Sequence, residues 1–549
     1  MQASPVRIIE YFDGRKQYLI PLFQRPYTWE KDKWSALWED IMAHYDSGAN
    51  ASHFMGAVVS MPVKAVPVGV NKHLVIDGQQ RLTTLAILLT VLRDRGASNR
   101  IDDYLINRND EGPDKLKLLP THGDRDVYKG LVLDRVLPPT PCRINTAYDY
   151  FEQRVKEDYD ASPIDPNRLL ETIEQCLQVV MINLGDTDDP YLIFESLNAR
   201  GEPLTQADLV RNYVLMKFRD SLEAGGEQER IYEYYWRPIQ DSLSAGLTSF
   251  LRHYCMKDGA NVKENTVYSA IKARLAGLTD TAALEAELKE MRRLGDCYAH
   301  FVDPSKETIA ALRPCLMAFN ELDVTTCYPL LLRLFASHVN QAISENDLEQ
   351  CLHLIESFVV RRAVCAVPPN SLGRLFTQWS KDYRENEVVR WLGLKMAAGT
   401  GNSRWPNEAQ FKTDFRTREQ YGRKATKHVL ASLEANFEHK EPADLNTATI
   451  EHLMPQELND DWKKMLGDKY EDVYSRLLHT FGNLTLTGYN SELGNLPFRQ
   501  KQQKLDTSHI ELNRWICEQA TWDAATIEAR AAVLADTAVK IWLGPESFS

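Results

Sequence analysis

Hydrophobic residues recur every three or four positions in two stretches near the N-terminus, which is the spacing of a helix with one buried face. The first stretch predicts a helix that begins near Lys31 and buries Trp34, Leu37, Trp38 and Ile41. The second predicts a helix that follows Gly78 and buries Leu82, Leu85, Leu89 and Leu92. Short apolar runs predict strands at 54–60, 73–76 and 178–184. The N-terminal part therefore mixes strands and helices.

Helical patterns dominate the rest of the chain. Residues 193–200 predict a helix ended by Gly201, and the capping-box spacing of Thr205 and Asp208 predicts another helix. Residues 221–400 are helical in pattern, 397–403 are typical of a linker, and 426–434 predict a further helix. We expect an α+β, predominantly helical fold with three regions, at 1–220, 221–403 and 404–549.

Composition restricts the class of protein. The 549 residues are 44% hydrophobic and 26% charged, as in soluble proteins with well-developed cores. The longest apolar run, 82–92, is too short to span a bilayer, and the N-terminus lacks a secretory signal, so we expect no membrane partner. Nine cysteines without a Cys-x-x-Cys pair argue against a disulfide framework or a zinc site and fit the cytoplasm. A net charge of −13 excludes a largely basic surface but not local basic patches.

The strongest chemical signal lies near the C-terminus. Glu451 and His452 are adjacent, and Asn483 and Asn490 follow them along the chain. His452 can be the general base that activates water, while Glu451 and Asn490 can supply oxygen ligands to Mg²⁺ or Mn²⁺. Asn483 can hydrogen-bond to backbone and hold the histidine in line. This ordered set predicts a one-metal nuclease.

A simpler interpretation exists for each part of that signal. A Glu-His pair is common on helix surfaces, and Gly-Asn-Leu alone could be a turn, so only the ordered combination favours the nuclease. Basic residues surround it, and the segment 412–427 has a net charge of +4. They could contact DNA phosphates or form a solvated helix face, and the candidates are Arg423, Lys424, Lys427, Arg499, Lys501 and Lys504.

A second set of polar residues lies in the N-terminal region. Gln24 and Arg25 stand in a Pro-bounded extended segment, and Asp77, Gly78, Gln80 and Arg81 stand where a strand is expected to turn into a helix. The N–H groups at such a helix start suit an anion, and two arginines can bind phosphate bidentately. The alternative is that Asp77 only caps the helix.

These motifs resemble a known family. Ile-Pro-Leu-Phe-Gln-Arg-Pro-Tyr-Thr-Trp (20–29), Asp-Gly-Gln-Gln-Arg (77–81) and the stretch 193–212 resemble the ParB/sulfiredoxin-like domain of GmrSD-type restriction proteins. Glu-His-Leu-Met-Pro-Gln (451–456) resembles the acid-His-x-x-Pro-Gln motif of His-Me finger (HNH) nucleases. The resemblance implies an α/β domain that binds and hydrolyses a nucleoside triphosphate, with Asn198 and Arg200 completing its pocket. It also implies a ββα-metal nuclease core embedded in helices.

From these observations we expect a nucleotide-regulated, metal-dependent endonuclease that restricts foreign double-stranded DNA. The resemblance implies modified phage DNA as the target. Two other functions stay open at this point, a nucleotide-switched DNA-binding regulator without cleavage and an RNA-cleaving toxin. The sequence also leaves open whether the chain forms a homo-oligomer.

Overall fold

The computed structural model describes residues 2–22, 24–45, 52–63, 69–136, 142–159, 162–185, 188, 193, 204–218, 226–278, 280–437 and 443–548. Backbone contacts group the chain into two compact units. The first consists of Met1–Pro238 and Asn265–Ala286, and the second of Ile239–Glu264 and Glu287–Ser549. The three-region division at 220 and 403 stays a prediction, and most of the expected connecting region belongs to the second unit.

The first unit is built on a six-stranded mixed sheet with strand order β1-β8-β3-β4-β2-β5. Its strands are β1 (Gln2–Arg7), β2 (Lys16–Leu19), β3 (His53–Pro62), β4 (Asn71–Asp77), β5 (Leu118–Leu119) and β8 (Leu177–Asn183). β3 and β4 pair antiparallel, whereas β2 pairs in parallel with both β4 and β5. A separate two-stranded ribbon consists of β6 (Asp158–Tyr159) and β7 (Ser162–Pro163). The three predicted strands are confirmed as parts of β3, β4 and β8.

The rest of the N-terminal part is largely helical. They are α1 (Ile8–Phe12), α2 (Lys31–Tyr45), α3 (Gln79–Asp94), α4 (Asp102–Leu105), α5 (His122–Lys129), α6 (Arg143–Lys156), α7 (Pro166–Cys176), α8 (Gln206–Met216) and α9 (Glu227–Ile231). Helices α2 and α3 are the two helices predicted from the apolar periodicity, and α8 starts at the predicted capping box of Thr205 and Asp208. The predicted helix at 193–200 lies outside the described residues except for Ile193.

The remaining chain is helical apart from one hairpin. Its helices are α10 (Arg237–Leu243), α11 (Leu247–Met256), α12 (Val267–Ala276), α13 (Thr281–Val302), α14 (Leu312–Glu321), α15 (Tyr328–Val339), α16 (Glu345–Val364), α17 (Leu372–Lys381), α18 (Val388–Ala397), α19 (Glu408–Thr417), α20 (Ala425–Ala435), α21 (Asp460–Leu466), α22 (Tyr470–Leu477), α23 (Asn490–Leu493), α24 (Phe498–Leu505), α25 (Arg514–Cys517) and α26 (Ala524–Ile541). The hairpin consists of β9 (Thr449–His452) and β10 (Leu484–Thr487). The fold is therefore α+β and predominantly helical, as predicted.

Aromatic side chains form the core beneath the hairpin. Trp462 and Trp522 are fully buried, and the rings of Phe498 and Trp522 lie 5.3 Å apart. All four residues of β10 are buried, so the surrounding helices enclose this strand of the hairpin. Burial of such large rings makes this core a rigid support for the residues at the end of β9.

Candidate functional site

The short hairpin positions the predicted nuclease residues. In its antiparallel register, Glu451 lies opposite Thr485 and His452 lies opposite Leu484. Thr485 is fully buried and donates to Asn513 Oδ1 at 2.7 Å, while the Asn513 amide donates to the carbonyl of Leu486 at 3.1 Å. These bonds fix the two strands, and with them the positions of the adjacent carboxylate and imidazole.

Glu451 forms a buried ion pair with Lys501 on α24. Lys501 Nζ lies 2.6 Å from Glu451 Oε1 and donates to the carbonyl of His452 at 2.7 Å, and the lysine side chain has no exposed surface. Burial raises the pKa of the Glu451 carboxyl, and the Lys501 charge opposes that effect. Lys501, a predicted DNA-phosphate contact, thus has its ammonium group enclosed within the site, where it binds Glu451 and the backbone of His452.

His452 is held by neighbours on two sides. Its Nε2 lies 3.0 Å from Nδ1 of His479, and the Gln456 amide nitrogen lies 3.4 Å from its Nδ1. The amide donates to Nδ1, so the imidazole proton lies on Nε2 and is donated to His479. Burial, together with the nearby His479 and Lys501, lowers the pKa of His452 to about 4. The imidazole is neutral near pH 7 and can accept a proton.

The ring of Tyr421 closes this group of aromatic side chains. Its centroid lies 4.3 Å from that of His452 in an edge-on arrangement, and it stacks on His479 at 5.5 Å. Tyr421 remains 41% exposed, although both histidines that it contacts are more enclosed. The pair of imidazoles therefore lies beside an exposed aromatic ring.

Asn483 is a positioning residue rather than a group that reaches a substrate. It is fully buried, and its Oδ1 accepts from the backbone N–H of Met454 at 2.7 Å and from Trp522 Nε1 at 3.0 Å. Its Nδ2 donates to the carbonyls of Met454 and Leu478 at 3.0 and 2.9 Å. These bonds tie the chain just after His452 to the loop that carries His479.

Asn490 begins α23, directly beyond the hairpin. Its Nδ2 lies 3.4 Å from the carbonyl of Ile450, so the amide oxygen is the atom that can face a cation. With the Glu451 carboxylate it offers the oxygen donors that Mg²⁺ prefers, and these residues therefore fit such an ion. Among the described residues, no cluster of three or more His, Cys, Asp or Glu side chains could hold a metal. Water and phosphate oxygens can complete the coordination of such an ion.

The other basic residues differ in exposure and in partners. Arg423, Lys424, Lys427 and Arg499 are exposed. Lys424 pairs with Asp323. Lys504 is half-buried and pairs with Glu492 at 2.6 Å. Exposed pairs of this kind are weak and can exchange partners, so the roles of these residues as phosphate contacts stay predictions.

The two N-terminal motifs meet in the first unit. Gln24 is buried and its amide donates to the carbonyls of Val75 and Ile76 at 2.8 and 2.7 Å. Gln80 Oε1 accepts from the backbone of Thr28 at 2.9 Å, and the Gln79 amide donates to the carbonyl of Arg25 at 3.1 Å. The glutamine amides thus bind backbone and position the segment, and the two motifs contribute Arg25 and Arg81 as cationic groups.

Gly78 makes the turn between β4 and α3 possible. Its φ is +96°, and an added Cβ would lie 3.0 Å from Val58 Cγ2 and 3.2 Å from Val58 Cα. Only glycine avoids both the strain and the contact. Asp77 does not cap the helix with its side chain, and its Oδ2 instead lies 3.3 Å from Arg81 Nη2. Arg81 also donates to the carbonyl of Ala57.

Two predicted nucleotide residues, Asn198 and Arg200, lie outside the described residues. Conversely, the structure brings His479 and Tyr421 to the candidate nuclease site, and sequence reasoning had not singled out either. His479 stands four positions before Asn483. That proximity to the Gly-Asn-Leu stretch was a usable signal, whereas nothing in the local sequence of Tyr421 indicates its contact with His452.

The fold and the site define a helical α+β protein with an adjacent acid and histidine on a short hairpin. Two family models match the chain. GmrSD restriction endonuclease, N-terminal domain, matches residues 8–215, and GmrSD restriction endonucleases, C-terminal domain, matches residues 405–537. The chain therefore belongs to the GmrSD family of restriction endonucleases. The search of curated proteins gave no significant match. In the described part of the chain, no helix is long and apolar enough to cross a membrane.

Proposed function

We propose that the protein is a metal-dependent nuclease whose action on modified phage double-stranded DNA is controlled by a nucleoside triphosphate. The observation that carries the proposal is the adjacent pair of Glu451 and His452 at the end of β9, with His452 hydrogen-bonded to His479. A carboxylate for a cation and a neutral imidazole for a water molecule are the two groups that phosphodiester hydrolysis requires.

Each residue of the site has a defined task in this proposal. His452 accepts a proton from the attacking water at Nδ1, where the water replaces the 3.4 Å contact with the Gln456 amide. Its Nε2 proton stays on the bond to His479, which holds the ring in one orientation. Glu451 and Asn490 would hold Mg²⁺ or Mn²⁺, which when bound supplies positive charge to the scissile phosphate. Asn483 fixes the backbone after His452.

The N-terminal motifs would hold the nucleotide. Arg25 and Arg81 come from the two motifs that meet at the start of α3, and Asn198 and Arg200 belong to the pocket by resemblance. The amide groups of Gln24 and Gln80 position the segment between residues 24 and 29. A nucleotide can control cleavage only if it interacts differently with active and inactive states, so substitution at the site should change that control.

One comparison tests this function. Purified protein is mixed with matched modified and unmodified phage DNA and with RNA, with and without Mg²⁺ and each nucleoside triphosphate. We expect Mg²⁺-dependent cleavage of DNA, faster on modified DNA and altered by nucleotide, with Asp77→Ala blunting only the nucleotide effect. Cleavage of RNA alone, or DNA binding without cleavage, would replace the proposal by one of the two alternatives.

A further inference from the structure

A cavity of about 470 Å³ lies in the second unit beside two of the predicted DNA contacts, Arg423 and Lys424. Its volume falls in the range of roughly 300–1,000 Å³ that is usual for sites of small organic ligands. Most of its wall is apolar and includes Val324, Val359, Val367, Pro368 and Leu372. An apolar cavity of this size suits a flat ring system better than an ion.

A few polar groups stand among the apolar ones. Asp323 and Thr326 line the cavity, and so does Arg362. Arg362 is only 2% exposed, and its Nη atoms donate to the carbonyls of Asn402, Arg404 and Pro368 at 2.9–3.0 Å. Its buried Nε has no hydrogen-bond partner among the described residues. The wall thus offers a carboxylate, a hydroxyl and an arginine.

The rim of the cavity is connected to the candidate nuclease site by a short stretch of backbone. The N–H groups of Gln420 and Tyr421 both donate to the carbonyl of His479, at 2.7 and 3.3 Å. Arg423 and Lys424, which line the cavity, follow two and three residues after Tyr421. A ligand in the cavity would therefore contact the segment that also packs on His452 and His479.

The charged residues at the rim indicate which charge such a ligand carries. Arg423 and Lys424 are exposed, and Lys424 pairs with Asp323 at the surface. Because an exposed ion pair contributes little, Lys424 can exchange this carboxylate for a phosphate. A neutral planar group inside, joined to an anion at the mouth, matches the cavity in both charge and polarity.

We propose that this cavity receives a cytosine-type base flipped out of the DNA duplex, with its backbone phosphates on Arg423 and Lys424. Asp323 would accept from the exocyclic amino group, as acidic side chains do with cytosine. The cavity is larger than a bare pyrimidine, which leaves room for a substituent on the base. Flipping breaks the stacking and pairing of the base, so a base that fits the cavity is selected over one that does not. The inference rests on the proposed function and gives it a means of recognising modified DNA.

The test uses the full-length protein, EDTA to prevent cleavage, and two duplexes that carry 2-aminopurine beside one cytosine. In one duplex that cytosine is glucosylated 5-hydroxymethylcytosine, and in the other it is unmodified. Flipping removes the stacking partner of 2-aminopurine, so its fluorescence should rise with the modified duplex. Ala363 lines the cavity and is half-buried, so the substitution Ala363→Met fills the cavity with a larger side chain. The control is Ala409→Met on the exposed face of α19.

We expect Ala363→Met and Asp323→Ala to abolish the fluorescence rise and to weaken binding of the modified duplex at least tenfold. The two cavity variants should bind the unmodified duplex as tightly as wild type does. Ala409→Met should bind both duplexes as tightly as wild type does. An unchanged rise in both cavity variants would overturn the inference while leaving the nuclease intact. A homodimer that Ala363→Met dissociates would identify a second copy as the occupant and also overturn it. Absence of any DNA binding or cleavage by wild type would instead count against the proposed function.

Discussion

Lys501 Nζ lies 2.6 Å from Glu451 Oε1, and both side chains are buried. The lysine therefore occupies one oxygen of the carboxylate that we propose as a metal ligand. An ammonium group and a divalent cation compete for the same negative charge, so the pair links metal binding to the stability of the hairpin. Three predictions concern the residues around this site, a fourth concerns the His428 network of the second unit, and a fifth concerns the N-terminal motifs.

Replacing Lys501 should make the protein depend on the metal for stability. Lys501→Met leaves a buried carboxylate without its cation, which should lower the free energy of unfolding by about 3–5 kcal/mol in EDTA. Mg²⁺ should recover part of this loss, because a ligand bound only to the folded state stabilises it. The measurement is the thermal unfolding midpoint of wild type and variant, with EDTA and with excess Mg²⁺.

Lys504→Met is the matched control on the same helix. Lys504 pairs with the exposed Glu492, so its loss should change the midpoint little and should not alter the Mg²⁺ effect. Equal responses of wild type and Lys501→Met to Mg²⁺ would show that Glu451 does not hold the metal.

His479 should act by orienting His452 and by lowering its pKa. His479→Ala removes the acceptor for the His452 Nε2 proton and should reduce cleavage by ~10–100-fold, the usual cost of losing a supporting hydrogen bond. His479→Gln, whose amide oxygen can accept, should recover part of the rate. Burial is the main cause of the lowered pKa of His452, and His479 adds to it when it is protonated, so the acidic limb of the pH–rate profile should move to higher pH in the alanine variant. An unmoved limb with reduced activity would indicate a purely structural role.

The His428 network should set the alkaline limit of stability in the second unit. His428 Nδ1 lies 2.7 Å from Glu321 Oε2, and its Nε2 lies 3.1 Å from Glu356 Oε1, which also accepts from Trp542 Nε1 at 2.9 Å. Burial disfavours the charged imidazole, but the two carboxylates outweigh it and raise the pKa of His428 to about 9. Because the pKa of His428 is higher in the folded state, its protonation stabilises the fold. This stabilisation is complete below the unfolded pKa of about 6.5 and is lost as the pH rises through 9.

We therefore expect the difference in unfolding midpoint between wild type and His428→Gln to be largest near pH 6 and to shrink towards pH 9. Burial raises the pKa of Glu356, but its bonds to His353 and His428 outweigh this and lower it to about 2, so the carboxylate stays charged throughout. His509→Gln is the control, because that imidazole is exposed in the same unit. A difference that does not change between pH 6 and 9 would contradict the assignment.

Arg81 should carry much of the nucleotide affinity. Arg81→Ala removes a charged hydrogen-bond donor and should weaken triphosphate binding by ~1.5–3 kcal/mol in calorimetry. Arg95→Ala, at the other end of the same helix and paired with Glu152, should leave the affinity unchanged. If the two variants bind nucleotide equally well, the phosphate site lies elsewhere.

Local patterns of the sequence predicted most elements but not their partners. The periodicity of Leu82 to Leu92 identified α3, and the Thr205–Asp208 spacing identified the start of α8, because both signals depend only on neighbouring residues. Lys501 was predicted to contact DNA phosphates, since charge alone does not show that a lysine has a buried carboxylate as its partner. Tyr421 and His479 were missed for the same reason. Their contacts with His452 arise from packing between segments that are distant in sequence.

The central claim is that His452 is the general base of a metal-dependent DNA nuclease. The most direct measurement is the initial rate of plasmid cleavage in Mg²⁺ by wild type, His452→Ala and His509→Ala, whose histidine is exposed in the same unit. We predict Mg²⁺-dependent cleavage by wild type and His509→Ala. The rate of a folded His452→Ala should be lower by ~10²-fold or more. Cleavage by His452→Ala at the wild-type rate would contradict the account.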